Sequence, residues 1–196
     1  MKDLIMLMAG LLIATFDERV QMSFIPVNVV TDIVGYILLI RGLTGLIPWS
    51  PCFKRSRTYA IFAMISTLGI RVVNYFGIAY SADALTYGLS AIFYIYTTYY
   101  ILEGIIVKNK TEKITETNAN LRGAWMALSV AQFLYSLCYL ADIGNLLEGI
   151  GLAGLEDPIK SLFGAAAFAT NAFFVIMLNQ TRILLFPKQE EAEDTK

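Results

Sequence analysis

The chain has 196 residues, 57% of them hydrophobic and only 16% charged, with a formal net charge of −1 and a mean hydropathy of +0.59. A soluble domain is about 45–50% apolar and about 25% charged, so both measures point away from one. The near-neutral balance argues against an extended nucleic-acid footprint, and the absence of histidine removes the commonest acid–base and metal-binding side chain.

The apolar residues fall in long blocks. Crossing the hydrocarbon layer takes roughly 20 mainly apolar residues as helix, and the alternating ~10-residue pattern of barrel strands is missing. The sequence predicts an all-α, polytopic transmembrane bundle of six helices within a single domain over 1–187, followed by a charged tail over 188–196.

The first span, 4–16, is short. Lys2 before an apolar core also fits a signal peptide, but Ala14-Thr15-Phe16 is a poor small-x-small cleavage site. We read it as a short membrane helix, with a half-inserted or interfacial helix as the alternative. The second span, 25–47, has Pro26 in its first turn and Pro48 at its end. A basic loop with Lys54, Arg55 and Arg57 leads to the third, 59–80. The fourth covers 84–107. The polar stretch Lys108 to Asn120 precedes the fifth, 121–147. A Gly-rich loop from Gly149 to Pro158 leads to the sixth, 161–186, with Ser161 as its expected N-cap.

Cytoplasmic loops carry the Lys/Arg excess. With the N-terminal residues inside, the inner side receives Lys2, Arg41, Lys54, Arg55, Arg57, Lys108, Lys110, Lys113, Arg122, Arg182, Lys188 and Lys196. The outer side receives Arg19 and Lys160. Trp49 and Trp125 fall at the inner interface, Tyr80 and Tyr87 at the outer one. The expected topology is N-in/C-in, in a bacterial plasma membrane. The sequons at Asn109 and Asn179 then lie inside, where glycosylation does not occur.

Charged groups within spans are the functional candidates. Arg71 lies near the middle of the third span, where an arginine costs about 2.5–3.5 kcal/mol on insertion scales. Thr67, Arg71 and Asn74 share a helical stripe, with Tyr75 beside them. Asp32 is the first candidate partner for Arg71 and Asp142 the second. Two readings stay open. One is a structural ion pair that fixes helix register; the other is an outward-opening site for an anionic or zwitterionic solute. In the fifth span, Ser129, Gln132, Ser136 and Tyr139 lie on a broad polar face leading to Asp142. Only convergence with the Arg71 stripe would make them a cavity wall. Glu103, beside Tyr96, Tyr99 and Tyr100, is expected to reach the inner interface. Asn171 is expected to bond a neighbouring helix, and Ala165, Ala169 and Ala172 give the last helix a small-residue face.

No catalytic, cofactor-binding or metal-binding motif is present. A Ser–His dyad and the His-based zinc motifs are excluded by composition, and no Gly-x-x-x-x-Gly-Lys loop occurs. Cys52 and Cys138 form neither a Cys-x-x-Cys pair nor an expected disulfide. The expected partners are the lipid bilayer, a small-molecule solute, or a partner membrane subunit. The two function classes to separate are solute binding or transport and a non-catalytic structural or regulatory role.

The stretch Asp32, Gly35 and Tyr36, followed by Ile-Leu-Leu-Ile and Gly42-Leu43, resembles uncharacterised small polytopic membrane proteins of Gram-positive bacteria. Their second helix opens on a Pro-Asp-x-x-Gly-Tyr pattern; here Thr31 stands at the proline position. The run to Tyr100, Glu103 and Gly104 is similar in character. The resemblance implies a six-helix or similar bundle and no particular activity. In size and topology the chain is also similar to the substrate-binding subunits of energy-coupling-factor vitamin transporters, without their Ala-rich first helix.

Overall fold

The computed structural model describes residues 1–15, 27–76, 80–140, 143–152 and 154–186, with side chains left out at 27–30, 70–76, 80–87, 139, 143 and 144. Seven α-helices occur among the described residues, and no strand: α1 (Lys2–Thr15), α2 (Val27–Leu46), α3 (Pro51–Phe76), α4 (Tyr80–Thr111), α5 (Asn118–Leu140), α6 (Ile143–Gly149) and α7 (Glu156–Leu185). Among the described residues, three stretches are long and apolar enough to cross a membrane: Thr31–Trp49, Gly88–Thr111 and Glu156–Leu185. The outward faces agree, with Ile37, Ile65, Ile92, Val130, Leu162 and Ile176 all exposed. Rows of apolar side chains on every long helix suit lipid as the surrounding solvent and would be an aggregation hazard in water. The chain is a membrane protein.

Two helix starts differ from expectation. The basic segment is helical, because Ser50 takes an extended backbone and its Oγ accepts the Cys52 N–H at 3.2 Å, while Pro51 occupies the first helical position. Pro48 lies in a single 3-10 turn, Ile47–Trp49, between α2 and α3. Ser161 is not an N-cap; α7 begins five residues earlier at Glu156, and Pro158 is tolerated in the first turn, where its missing N–H costs nothing. The expected fifth span is covered by α5 and the short α6, with 141–142 between them outside the described residues. The polar connection between α4 and α5 shrinks to 112–117. There Lys113 takes a left-handed conformation (φ 60°), and the Ile114 N–H returns to the Asn109 carbonyl at 2.8 Å to close α4. Gly151 (φ 76°) closes α6 in the same way.

The helices neighbour one another in the order α1–α2–α3–α4–α5–α7, and α7 returns to α1. The closest approach is between α1 and α2. A Cβ placed on Gly10 would meet the Leu39 backbone, one on Gly35 the Ala14 backbone, and one on Gly42 the Asp3 carbonyl and Leu7 backbone. These pairs run in opposite directions along the two helices, so the hairpin is antiparallel and its glycines let the backbones touch.

One end of the bundle collects the basic residues. Lys108 lies over the Trp49 ring at 5.5 Å, Arg55 over Tyr100 at 5.8 Å, and Arg122 pairs with Glu103 at 3.9 Å. Thr181 bonds Thr117 at 3.3 Å, which brings the C-terminal part of α7 to the same end. Just below, Leu4, Leu43, Phe53, Ile105, Leu121 and Leu178 are completely buried. Phe53 fills the notch left by Gly104, where a Cβ would lie 2.7 Å from its ring. The basic end is therefore underlain by a closely packed apolar plug.

Candidate functional site

Above the plug, polar side chains from three helices meet. Thr67 on α3 shares hydrogen bonds with the Tyr36 hydroxyl of α2 at 3.4 Å and with Ser90 of α4 at 3.0 Å. Tyr36 is buried on the face of α2 that also carries Asp32, one turn earlier and within electrostatic range of the phenol. Asp32 is only 2% exposed and is engaged by a partner. A carboxylate so deeply buried must be matched by charge or hydrogen bonds.

A second group adjoins the first, since Tyr94 lies within electrostatic range of Tyr36. The Tyr94 hydroxyl donates to Asn171 Oδ1 at 2.7 Å, while Asn171 Nδ2 donates to Thr15 Oγ1 at 2.7 Å and to the Leu11 carbonyl at 3.1 Å. Asn171 is fully buried and joins α7, α4 and α1. The expectation that it bonds a neighbouring helix holds for two helices at once. Both of its amide hydrogens and its oxygen are used, so this group stands as a structural tie.

The seven residues singled out from the sequence divide as follows. Asp32 and Thr67 fall on one polar cluster, linked through Tyr36, in which Asp32 and Tyr36 are buried and Thr67 and Ser90 half-buried. Arg71 and Asn74 lie on α3, one and two turns beyond Thr67 toward the end opposite the plug; their side chains lie outside the described residues, as does Asp142 entirely. Ser136 is buried, but its hydroxyl donates to the Phe133 carbonyl of its own helix at 2.9 Å, and Gln132 is half-buried. Among the described residues no hydrogen bond joins these two to Tyr36, Thr67 or Ser90. Ser90, Tyr36, Tyr94 and Thr15 belong to the polar centre and were not singled out as members of it.

Chemically, the cluster around Thr67 offers hydroxyl groups that can donate or accept, and one carboxylate. Among the described residues no group of three or more acidic, cysteine or histidine side chains is placed to hold a metal ion. Cys52 and Cys138 are both free thiols. Glu103 is half-buried at the basic end beside Arg122 and well away from Asp32, so the two carboxylates do not form an acid–base dyad. The small-residue face of α7 is not used inside the bundle: Ala165 and Ala169 are exposed and Ala172 is half-buried. An apolar groove of about 480 Å³ runs beside it between α5 and α7, floored by Gly123, Ala127 and Ala131.

No protein-family model matches the sequence, and no curated protein or solved structure matches it.

Proposed function

We propose that the protein binds a small polar solute within the membrane, at a site built from Asp32, Tyr36, Thr67 and Ser90 and extended outward by Arg71 and Asn74. Six helices, α1 to α5 and α7, span a plasma membrane as one domain. The basic end faces the cytoplasm, and the segment after α7 lies on that side. The solute enters from the opposite side, and transport follows if the plug can open. The supporting observation is the burial of Asp32 and Tyr36, with the half-buried hydroxyls of Thr67 and Ser90 beside them, above the apolar plug. Polar side chains this deep carry a desolvation cost and are retained where they meet a substrate, an ion or one another. A guanidinium one turn beyond Thr67 would hold the negative end of an anionic or zwitterionic solute. No cofactor and no catalytic step enter this reading.

The test is native mass spectrometry of protein extracted in mild detergent. A bound small molecule that is lost in folded Asp32→Asn and Arg71→Ala variants supports the site.

The groove floored by Gly123, Ala127 and Ala131 favours a second reading, a structural or regulatory subunit that docks a partner helix there. A ligand-free protomer that co-purifies with another membrane subunit would select it.

A further inference from the structure

Along one flank of the α3–α4 hairpin, a row of rings descends from the basic end toward the membrane centre. The Arg55 guanidinium lies 5.8 Å from the centre of the Tyr100 ring. Tyr100 stacks on Tyr59 at 5.5 Å with planes 9° apart, and Tyr59 stacks on Tyr96 at 5.1 Å and 20°. Phe93 follows, 6.5 Å from Tyr59 and 5.4 Å from Phe62. The spacing explains the row. Arg55, Tyr59 and Phe62 recur at i, i+4 and i+7 on α3, and Tyr100, Tyr96 and Phe93 answer them on the antiparallel α4.

The row is open to the bilayer. Tyr96 and Phe62 are each 46% exposed, and Lys54 and Arg55 are exposed at its head. Its polarity falls from guanidinium to phenols to phenyl rings, the order in which a phospholipid passes from phosphate to acyl chain. The basic residues at this end also differ in their partners. Lys108 pairs with Glu112 at 2.6 Å and Arg122 with Glu103 at 3.9 Å, but among the described residues no carboxylate lies within ion-pair distance of Lys54, Arg55 or Arg57. Three cations within four residues, with no carboxylate partner among the described residues, attract a net negative headgroup. A zwitterionic headgroup brings its own cation to the same place and loses much of that attraction.

We propose that this flank is a binding site for one anionic phospholipid. Its phosphate sits on Lys54 and Arg55, with Arg57 adding to the field, and one acyl chain lies along Tyr59, Tyr96 and Phe62. The tyrosine stack supplies a rigid amphipathic wall at the depth where such rings anchor.

The test is native mass spectrometry of the full chain in mixed micelles containing equal amounts of phosphatidylglycerol and phosphatidylcholine. Retained lipid should be mainly phosphatidylglycerol. The preference should fall about fivefold for each charge removed in K54Q, R55Q and R57Q, alone and combined. A K108Q/K110Q variant changes basic residues at the same end but off the row, and should keep the preference. If the triple variant does not fold, the single R55Q variant decides. Equal retention of the two lipids by the unaltered protein would overturn the proposal. So would a preference that survives R55Q, or one lost equally in K108Q/K110Q, which would mark a diffuse field with no defined site.

Discussion

The Tyr94 hydroxyl donates a 2.7 Å hydrogen bond to the fully buried Asn171 carboxamide, and through Asn171 it reaches α1 as well as α7. One side chain thus closes the bundle where its last helix returns to its first. Interhelical hydrogen bonds in membranes average about 0.6 kcal/mol and reach about 1.7 kcal/mol. Asn171→Ala removes three of them and leaves a buried phenol and hydroxyl to find new partners, so it should destabilise by about 2–3 kcal/mol. Tyr94→Phe removes one and should cost about 1 kcal/mol. Reversible unfolding in mixed detergent, following helicity against denaturing-detergent fraction, measures both. Equal costs for the two variants would contradict the role given to Asn171.

The glycines separate into those that are crowded and those that are not. An added methyl on Gly35 or Gly42 would meet backbone atoms of α1, which cannot swing aside as a flexible side chain can. Gly35→Ala and Gly42→Ala should therefore force α1 and α2 apart and lower stability by about 1–3 kcal/mol, the usual cost of overpacking. Gly123 has nothing within 4 Å of its added Cβ. Gly123→Ala should be neutral or stabilising by up to about 1 kcal/mol, the helix propensity difference. Thermal unfolding of the three variants in one detergent tests the contrast, and a destabilised Gly123→Ala would contradict it.

Phe53 and Gly104 form the centre of the plug. Phe53→Ala should cost about 3–5 kcal/mol through the cavity it leaves. Gly104→Ala should also destabilise, because a Cβ there would lie 2.7 Å from the Phe53 ring. The double variant should recover part of the loss, since the smaller residue at 53 makes room for the methyl at 104. A double-variant cost equal to the sum of the single costs would show that the two residues do not interlock.

The membrane character was legible because hydropathy reports depth, and the long apolar blocks have no other solvent to suit them. Helix ends were less so. Leaving the membrane does not end a helix: Lys54, Arg55 and Arg57 continue α3 back to Ser50 and Pro51, an N-cap and first-position pair visible in the sequence but outweighed by the charge run. Asp32 stood out as a charge in apolar surroundings, and Thr67 by sharing a helical stripe with Arg71 and Asn74. Tyr36, Ser90, Tyr94 and Thr15 did not, because tyrosine, serine and threonine are ordinary in membrane helices, and their role depends on which way each helix turns. Gly35 and Gly42 lie seven residues apart, readable as one face of α2, but only Gly10 on the facing helix gives that face its meaning.

The proposed solute site is a polar centre reached from the side opposite the basic end and sealed from the basic end by the plug. The most direct measurement is thiol access at its middle. Thr67→Cys would be placed in a chain with Cys52 and Cys138 changed to serine, then treated with a small membrane-impermeant thiol reagent in right-side-out and inside-out vesicles. Labelling is expected in right-side-out vesicles only. Labelling from the inner face, or from neither face, would contradict it.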